Sequence, residues 1–261
     1  MTVLLLCIVL GILENYYLCT QKRNMNIVII GATSGIGKAL FERYANENNR
    51  IGIIGRRAHL LDELYQKYPS KTIPVKADIT NLEEIEQTIN TLHKELEHID
   101  LTIVCSGVGD INTTLDFDVE RPTIDTNVVS WTFVIDMLYH IFEQQDYGHL
   151  VAITSAGGLR GEPMAPAYSA TKAYQINYME ALRKKAYKKG GNIVVTDVRP
   201  GLVDTAMAKG EGLFWVMPVE KVAHQIVAAI RKQKSIVYVT KRWRVLAIIN
   251  KYLPYCLYKR I

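Results

Sequence analysis

Tyr168 and Lys172 stand four residues apart in Tyr168-Ser-Ala-Thr-Lys172, a spacing that sets a phenol and an ammonium on one face of a helix. Such a pair can exchange a proton and steady the charge left behind. Ser155 ends the apolar run that precedes that helix, and strand ends of this kind line the crevice of an open α/β sheet. A second constellation, Gly31-Ala-Thr33-Ser34-Gly35-Ile36-Gly37, follows a short apolar strand and opens a helix. Its glycines let the backbone turn tightly and approach a pyrophosphate, and the helix start offers free N–H groups and the positive end of a dipole.

About twenty residues later the next strand ends in Gly55-Arg56-Arg57, where an NAD site presents an acid to the ribose 2′-hydroxyl. Arg56 and Arg57 suit a 2′-phosphate instead, which predicts NADP(H). Asp78, followed by Ile79 after the third strand, is placed to accept from the adenine amino group. Other chemistries lack their signatures. The glycine turn has no Lys-Ser/Thr of a triphosphate P-loop, no G-x-S-x-G elbow surrounds Ser155, and the six His and four Cys show no metal-ligand spacing, so no metal site is predicted.

Seven β-branched runs supply strands to hold these residues: Asn26 to Ile30, Ile51 to Ile54, Thr72 to Lys76, Leu101 to Cys105, His149 to Thr154, Asn192 to Val198 and Ile236 to Val239. Amphipathic stretches between them predict helices over Gly35 to Asn48, His59 to Tyr68, Leu82 to Leu96, Asp118 to Gln145, Ala167 to Lys189 and Val219 to Arg231. Alternation of this kind implies one α/β domain, a Rossmann-type doubly wound parallel sheet with helices on both faces. The domain is expected over residues 25–240, between an apolar leader at 1–24 and a basic tail at 241–261.

Over about residues 25 to 240 the chain resembles the short-chain dehydrogenase/reductase family, through Gly31-x-x-x-Gly35-Ile-Gly37, Asp78, Asn127, Ser155, Tyr168-x-x-x-Lys172 and Pro200-Gly201 with Thr205. The resemblance implies interconversion of a carbonyl and an alcohol by hydride transfer. Tyr168 would be the acid in reduction and the base in oxidation, Ser155 would hold the substrate oxygen, and Lys172 would stabilise the Tyr168 phenolate and grip the nicotinamide ribose. Asn127 looks like the family residue that positions a water for proton relay behind Lys172. Implied cofactor contacts are Gly31, Thr33, Ser34, Gly35, Ile36, Gly37, Arg56, Arg57, Asp78, Ile79, Ser106, Gly107, Tyr168, Lys172, Pro200, Gly201, Val203 and Thr205. One departure stands out. Where the family has Asn-Asn-Ala-Gly after the fourth strand, this chain has Val104-Cys105-Ser106-Gly107.

By the same resemblance, the segment after Thr205 sets substrate choice. Leu213, Phe214, Trp215 and Met217 would form an apolar lid over a hydrophobic or lipid-like carbonyl compound, or pack on a partner subunit, with Gly157, Gly158 and Leu159 completing the pocket floor. Residues 231 to 261 hold nine Lys or Arg and no Asp or Glu, leaving 22 basic against 26 acidic residues elsewhere. Aromatic and aliphatic residues interleave with those cations, which points to a lipid interface and away from nucleic acid. The alternative is that the apolar side docks on the domain or on a second subunit.

Val3 to Leu13 is an apolar run too short to span a membrane alone. It is either an anchor, with Lys22 and Arg23 keeping the domain cytoplasmic, or an extension ahead of a natural start at Met25. The expected protein is a cytoplasmic homo-oligomer, associated with the membrane face if the tail binds lipid. Alternatives to a free-standing reductase are a redox partner in a two-step epimerisation and a non-catalytic membrane-associated NADP-binding protein.

Overall fold

The computed structural model describes residues 24–208 and 214–260. The strands are β1 (Asn26–Ile30), β2 (Arg50–Gly55), β3 (Thr72–Lys76), β4 (Leu101–Val104), β5 (Gly148–Ile153), β6 (Ile193–Pro200) and β7 (Ile236–Val239). They form one parallel sheet in the order β3-β2-β1-β4-β5-β6-β7. Order reverses between β1 and β4, so the crevice of a doubly wound sheet opens at the carboxyl ends of those two strands.

The central strands are apolar on both faces because both faces are covered. On one side Ile27, Ile29, Ile51 and Ile53 meet α1 (Gly35–Ala45), α2 (Ala58–Lys67) and α7 (Val219–Arg231), with Phe41, Leu61 and Ile226 buried between. On the other Val28, Ile30 and Leu150 meet α3 (Leu82–Leu96), α5 (Trp131–Gln145) and α6 (Pro166–Lys188) through Ile89, Trp131 and Met179. Asn81 caps α3 by accepting from the Glu84 N–H at 3.2 Å.

One helix departs from expectation. The continuous helix predicted from Asp118 to Gln145 is divided into α4 (Phe117–Ile124), a π-turn over Asp125–Ser130, and α5. In the wider turn the Trp131 N–H donates to Thr126 and Val128 carbonyls and not to Asn127. Ser130 Oγ donates to the Asp125 carbonyl at 2.8 Å. π-turns rotate side chains out of the ordinary helical register, and here Asn127 and Ser130 are buried.

The basic tail forms α8 (Lys241–Tyr252) and the short α9 (Tyr255–Tyr258). Arg160, in the loop after β5, donates to the carbonyls of Asn250 (2.8 Å) and Leu253, and its guanidinium lies 4.8 Å from the Tyr258 ring centre. The tail's inner side is therefore docked on the domain. The leader through residue 23 lies outside the described residues. Among the described residues no helix is long and apolar enough to cross a membrane.

Candidate active site

The floor of the crevice is the turn after β1. Gly31 has φ 85°, and a Cβ on Gly37 would land on the Gly31 carbonyl, so only glycine permits this close return of helix onto strand. The α1 start carries no acid, and the Ser34 hydroxyl beside it accepts from Arg57 Nη2 at 2.7 Å. Arg57 also donates to Thr33 Oγ1, at 2.7 Å from Nη2 and 3.2 Å from Nε. Arg56 turns the other way and pairs with Asp78 at 3.6 Å. Thr80 donates its N–H and its hydroxyl to Asp78 Oδ1 at 3.0 and 2.9 Å, and the Asp78 carboxyl is held below its usual value: burial opposes the shift, and the Thr80 bonds with Arg56 outweigh it.

Opposite that turn, β4 runs out through Cys105, Ser106 and Gly107. Residue 31 must be glycine because it passes against the Ser106 backbone, and a Cβ on Gly107 would crowd Asn127 Oδ1 and Lys172 Nζ, each 3.3 Å away. Ser106 Oγ is buried with no hydrogen-bond partner among the described residues. A glycine cradle, a helix start without acid, an arginine over two hydroxyls and an orphaned buried hydroxyl fit a nicotinamide dinucleotide laid across the crevice.

The chemical end lies between β5 and α6. Ser155 caps a short 3-10 turn (Ala156–Leu159), its Oγ accepting from the Gly157 N–H at 3.0 Å. Gly158 in that turn backs directly onto the Lys172 main chain. Burial of the Tyr168 hydroxyl raises its pKa above the ordinary value, and the neighbouring Ser155 side chain opposes the rise. Gly109 lies flat on the Tyr168 ring, where a Cβ would collide with it. Lys172 is 4% exposed, with Nζ 5.8 Å from the Tyr168 ring centre. Its ammonium donates to the Ile153 carbonyl at 3.2 Å and to Gln175 Oε1 at 2.9 Å. Burial lowers it to about 8, with Asp197 and then Cys105 pulling the other way. The expectation that Lys172 stabilises the Tyr168 phenolate concerned the site with oxidised cofactor bound. In the free protein burial prevails and Tyr168 moves up.

Asn127 uses its side chain to fasten the strand-exit loop. Oδ1 accepts from the Val108 N–H (2.9 Å), and Nδ2 donates to the Val108 carbonyl (2.7 Å) and to Thr171 Oγ1 (3.1 Å). Its main-chain carbonyl accepts from Gln175 Nε2 at 2.9 Å. On the far side, Pro200 and Gly201 close β6, Thr205 packs on Gly35, and Val203 pairs with Met217, which ties together the two ends of the segment between them.

Four contributors were not found from sequence. Gln175 had one signal, its i+3 spacing from Lys172 on the same helix. Gly109, Arg160 and Trp243 had none, because the partners they meet, Tyr168, Asn250 and Gly201, lie far from them in the chain. Trp243 stacks on Phe214 (centroids 5.5 Å apart), its Nε1 donates to the Trp215 carbonyl at 3.4 Å, and its ring fills the space where a Gly201 Cβ would go. Of the expected lid, Leu213 lies outside the described residues, while Phe214 and Trp215 pack edge to face with centroids 5.7 Å apart.

A family model for short chain dehydrogenases matches residues 25–213. The chain belongs to that family and is an oxidoreductase of its kind. An uncharacterized oxidoreductase of Mycobacterium tuberculosis is 30% identical over 224 residues, covering 82% of this chain and 87% of that one. One from Staphylococcus epidermidis is 28% identical over 185 residues, covering 70% and 80%. Among solved structures, a short chain dehydrogenase of Burkholderia cenocepacia in complex with NADP superposes with a TM-score of 0.79 at 19% identity, over 91% of this chain and 97% of that one. A Burkholderia phymatum enzyme in complex with NAD gives 0.78 at 17%, over 87% and 92%.

Proposed function

We propose that the protein is an NADP(H)-dependent oxidoreductase that interconverts a carbonyl and a secondary alcohol on a hydrophobic or lipid-like substrate. The observation that carries this reading is the meeting of Ser155, Tyr168 and buried Lys172 at one end of the dinucleotide crevice. The bound cofactor supplies or takes the hydride. Everything else falls to the chain. Ser155 and Tyr168 hold the substrate oxygen between two hydroxyls. Burial keeps Tyr168 protonated at neutral pH, so it stands ready as the acid in reduction. The Lys172 ammonium offsets the negative charge on Tyr168 once its proton has gone.

Choice of NADP(H) over NAD(H) rests on Arg57, whose fork over Thr33 and Ser34 provides a cation and two hydroxyls for a 2′-phosphate. Arg56, paired with Asp78, is the second cation at that rim. A panel of apolar ketones monitored by nicotinamide absorbance tests the reaction. Arg57→Ala should raise KM for NADPH at least tenfold and leave that for NADH nearly unchanged; equal effects on both would reject the assignment.

We also propose that the outer side of the tail rests on an anionic lipid surface. Val245, Ile248, Ile249 and Tyr252 form an i, i+3, i+4, i+7 stripe and are 58%, 41%, 55% and 73% exposed. Exposed Arg242, Arg244 and Lys251 flank it. An apolar stripe with a cationic rim and no carboxylate suits acidic headgroups better than an uncharged protein face. Vesicles of phosphatidylcholine with phosphatidylserine should sediment the protein, and pure phosphatidylcholine should not. Ile249→Glu should abolish the binding without changing turnover of a water-soluble ketone. Binding unaffected by Ile249→Glu, or dimerisation through the tail in light scattering without lipid, would refute it.

A further inference from the structure

Behind the Tyr168–Lys172 pair lies an amide whose position none of the preceding chemistry uses. Gln175 is one turn past Lys172 on α6 and is 0% exposed. Its Oε1 accepts from the Lys172 ammonium at 2.9 Å, and its Nε2 donates to the Asn127 main-chain carbonyl at 2.9 Å. The carbonyl is available because of the π-turn: the Trp131 N–H that would pair with it in a regular helix goes to Thr126 and Val128. The Asn127 side chain, meanwhile, is engaged by Val108 and Thr171. Gln175 thus bridges the buried Lys172 ammonium and the Asn127 carbonyl at the back of the cleft.

That bridge has a chemical consequence. A carboxamide accepts at oxygen and donates at nitrogen, but handing a proton on would require its high-energy imidic acid form. A water at the same junction could both accept and donate. Gln175 therefore transmits orientation and does not itself hand a proton on. It occupies one of the three donors of Lys172 while the Ile153 carbonyl takes a second.

We propose that Gln175 is a positioning residue that fixes the Lys172 ammonium from behind, holding it against the Asn127 carbonyl through its own amide. The proposal rests on the acid–base role assigned above to Tyr168. It also explains why a fully buried Gln sits on the inner face of α6 among Ile176, Met179 and Leu182: an unpaired amide there would be costly, and both of its ends are satisfied.

Three variants of the full chain test it. Gln175→Leu keeps most of the volume and removes both hydrogen bonds, so kcat should fall at least tenfold with KM little changed, and the basic limb of the pH profile should move down. Gln175→Ala opens room for water between Lys172 and Asn127, so kcat should recover above that of Gln175→Leu despite the larger cavity. Gln175→Glu adds a negative charge beside Lys172 and should move the limb upward. A readout independent of turnover is the pH at which Tyr168 ionises in the enzyme alone, taken from tyrosinate absorbance of each variant minus its Tyr168→Phe counterpart. It should shift with opposite signs in the Leu and Glu variants.

If Gln175 only fills space, Gln175→Ala will be the worst of the three and neither pH readout will move; that result overturns the proposal. Tyr168→Phe with undiminished kcat would overturn the underlying acid–base role. An inactive Tyr168→Phe with Gln175 variants indistinguishable from wild type would reject the Gln175 assignment alone.

Discussion

The back wall and the rim of the crevice are built on opposite plans. At the back, Lys172, Gln175 and Asn127 are almost wholly buried, and each of their side-chain polar atoms has a hydrogen-bond partner. At the rim, Phe214 and Trp215 are 54% and 46% exposed and pack edge to face, with Phe214 stacked on Trp243, which arrives from the tail. The back wall cannot change shape without leaving a charge or an amide unsatisfied in a dry site, so it is suited to a fixed reaction. Stacked rings at the rim slide and repack at little cost, so it is suited to variable substrates.

The sharpest way to break that contrast is at the chemistry itself. Tyr168→Phe removes one oxygen from the inner end and should lower kcat by about 10²- to 10⁴-fold, with NADPH affinity and thermal stability near wild type. Affinity and activity lost together would mean that Tyr168 organises the site and does not merely serve it.

The next effect concerns buried titration in the same sheet. His149 sits on β5, bonded to Thr196 Oγ1 at 2.7 Å, and burial lowers it to about 4. The unfolded chain, with His149 near its ordinary 6.5, binds more protons between these two values, so folding is favoured above that window and weakens as pH falls through it. Between pH 7 and pH 5 this one residue should remove about 2 kcal/mol of stability. In urea melts, the drop from pH 7 to pH 5 should be smaller by that amount in His149→Gln than in wild type. An identical drop would show that His149 is solvated.

Smallest is the expected effect at the rim. Trp243→Ala removes the ring on which Phe214 stacks and should change KM for a bulky apolar substrate a few-fold, while kcat for a small ketone stays within about twofold. Were both to collapse, the rim would be as rigid as the back wall and the contrast would fail.

The sheet was the most legible feature. Seven apolar runs appeared as seven strands with ends shifted by at most two residues, because parallel strands buried on both faces have to be continuously apolar. The glycine turn, Ser155, Tyr168 and Lys172 were legible too, since close approach and i+4 spacing are local properties. Arg56 and Arg57 were both read as suited to a 2′-phosphate, with Arg56 foremost, yet Arg56 turns to Asp78 and Arg57 to Thr33 and Ser34. The π-turn was missed because its buried Asn127 and Ser130 fit an ordinary amphipathic helix equally well.

The tail shows where the boundary falls. From sequence its apolar residues could serve lipid or protein, for an amphipathic helix looks alike in either setting. The fold divided them: Trp243, Leu246 and Leu253 are drawn inward, with Ala247 fully covered, while the stripe from Val245 to Tyr252 faces outward. Sequence alone determined which local chemistry this protein carries, because spacing along a strand or helix decides which side chains share a face. Only tertiary structure decided that Gln175 would meet the Asn127 carbonyl and that Trp243 would roof Gly201. Those contacts join segments far apart in the chain, and no local pattern records the packing that brings them together.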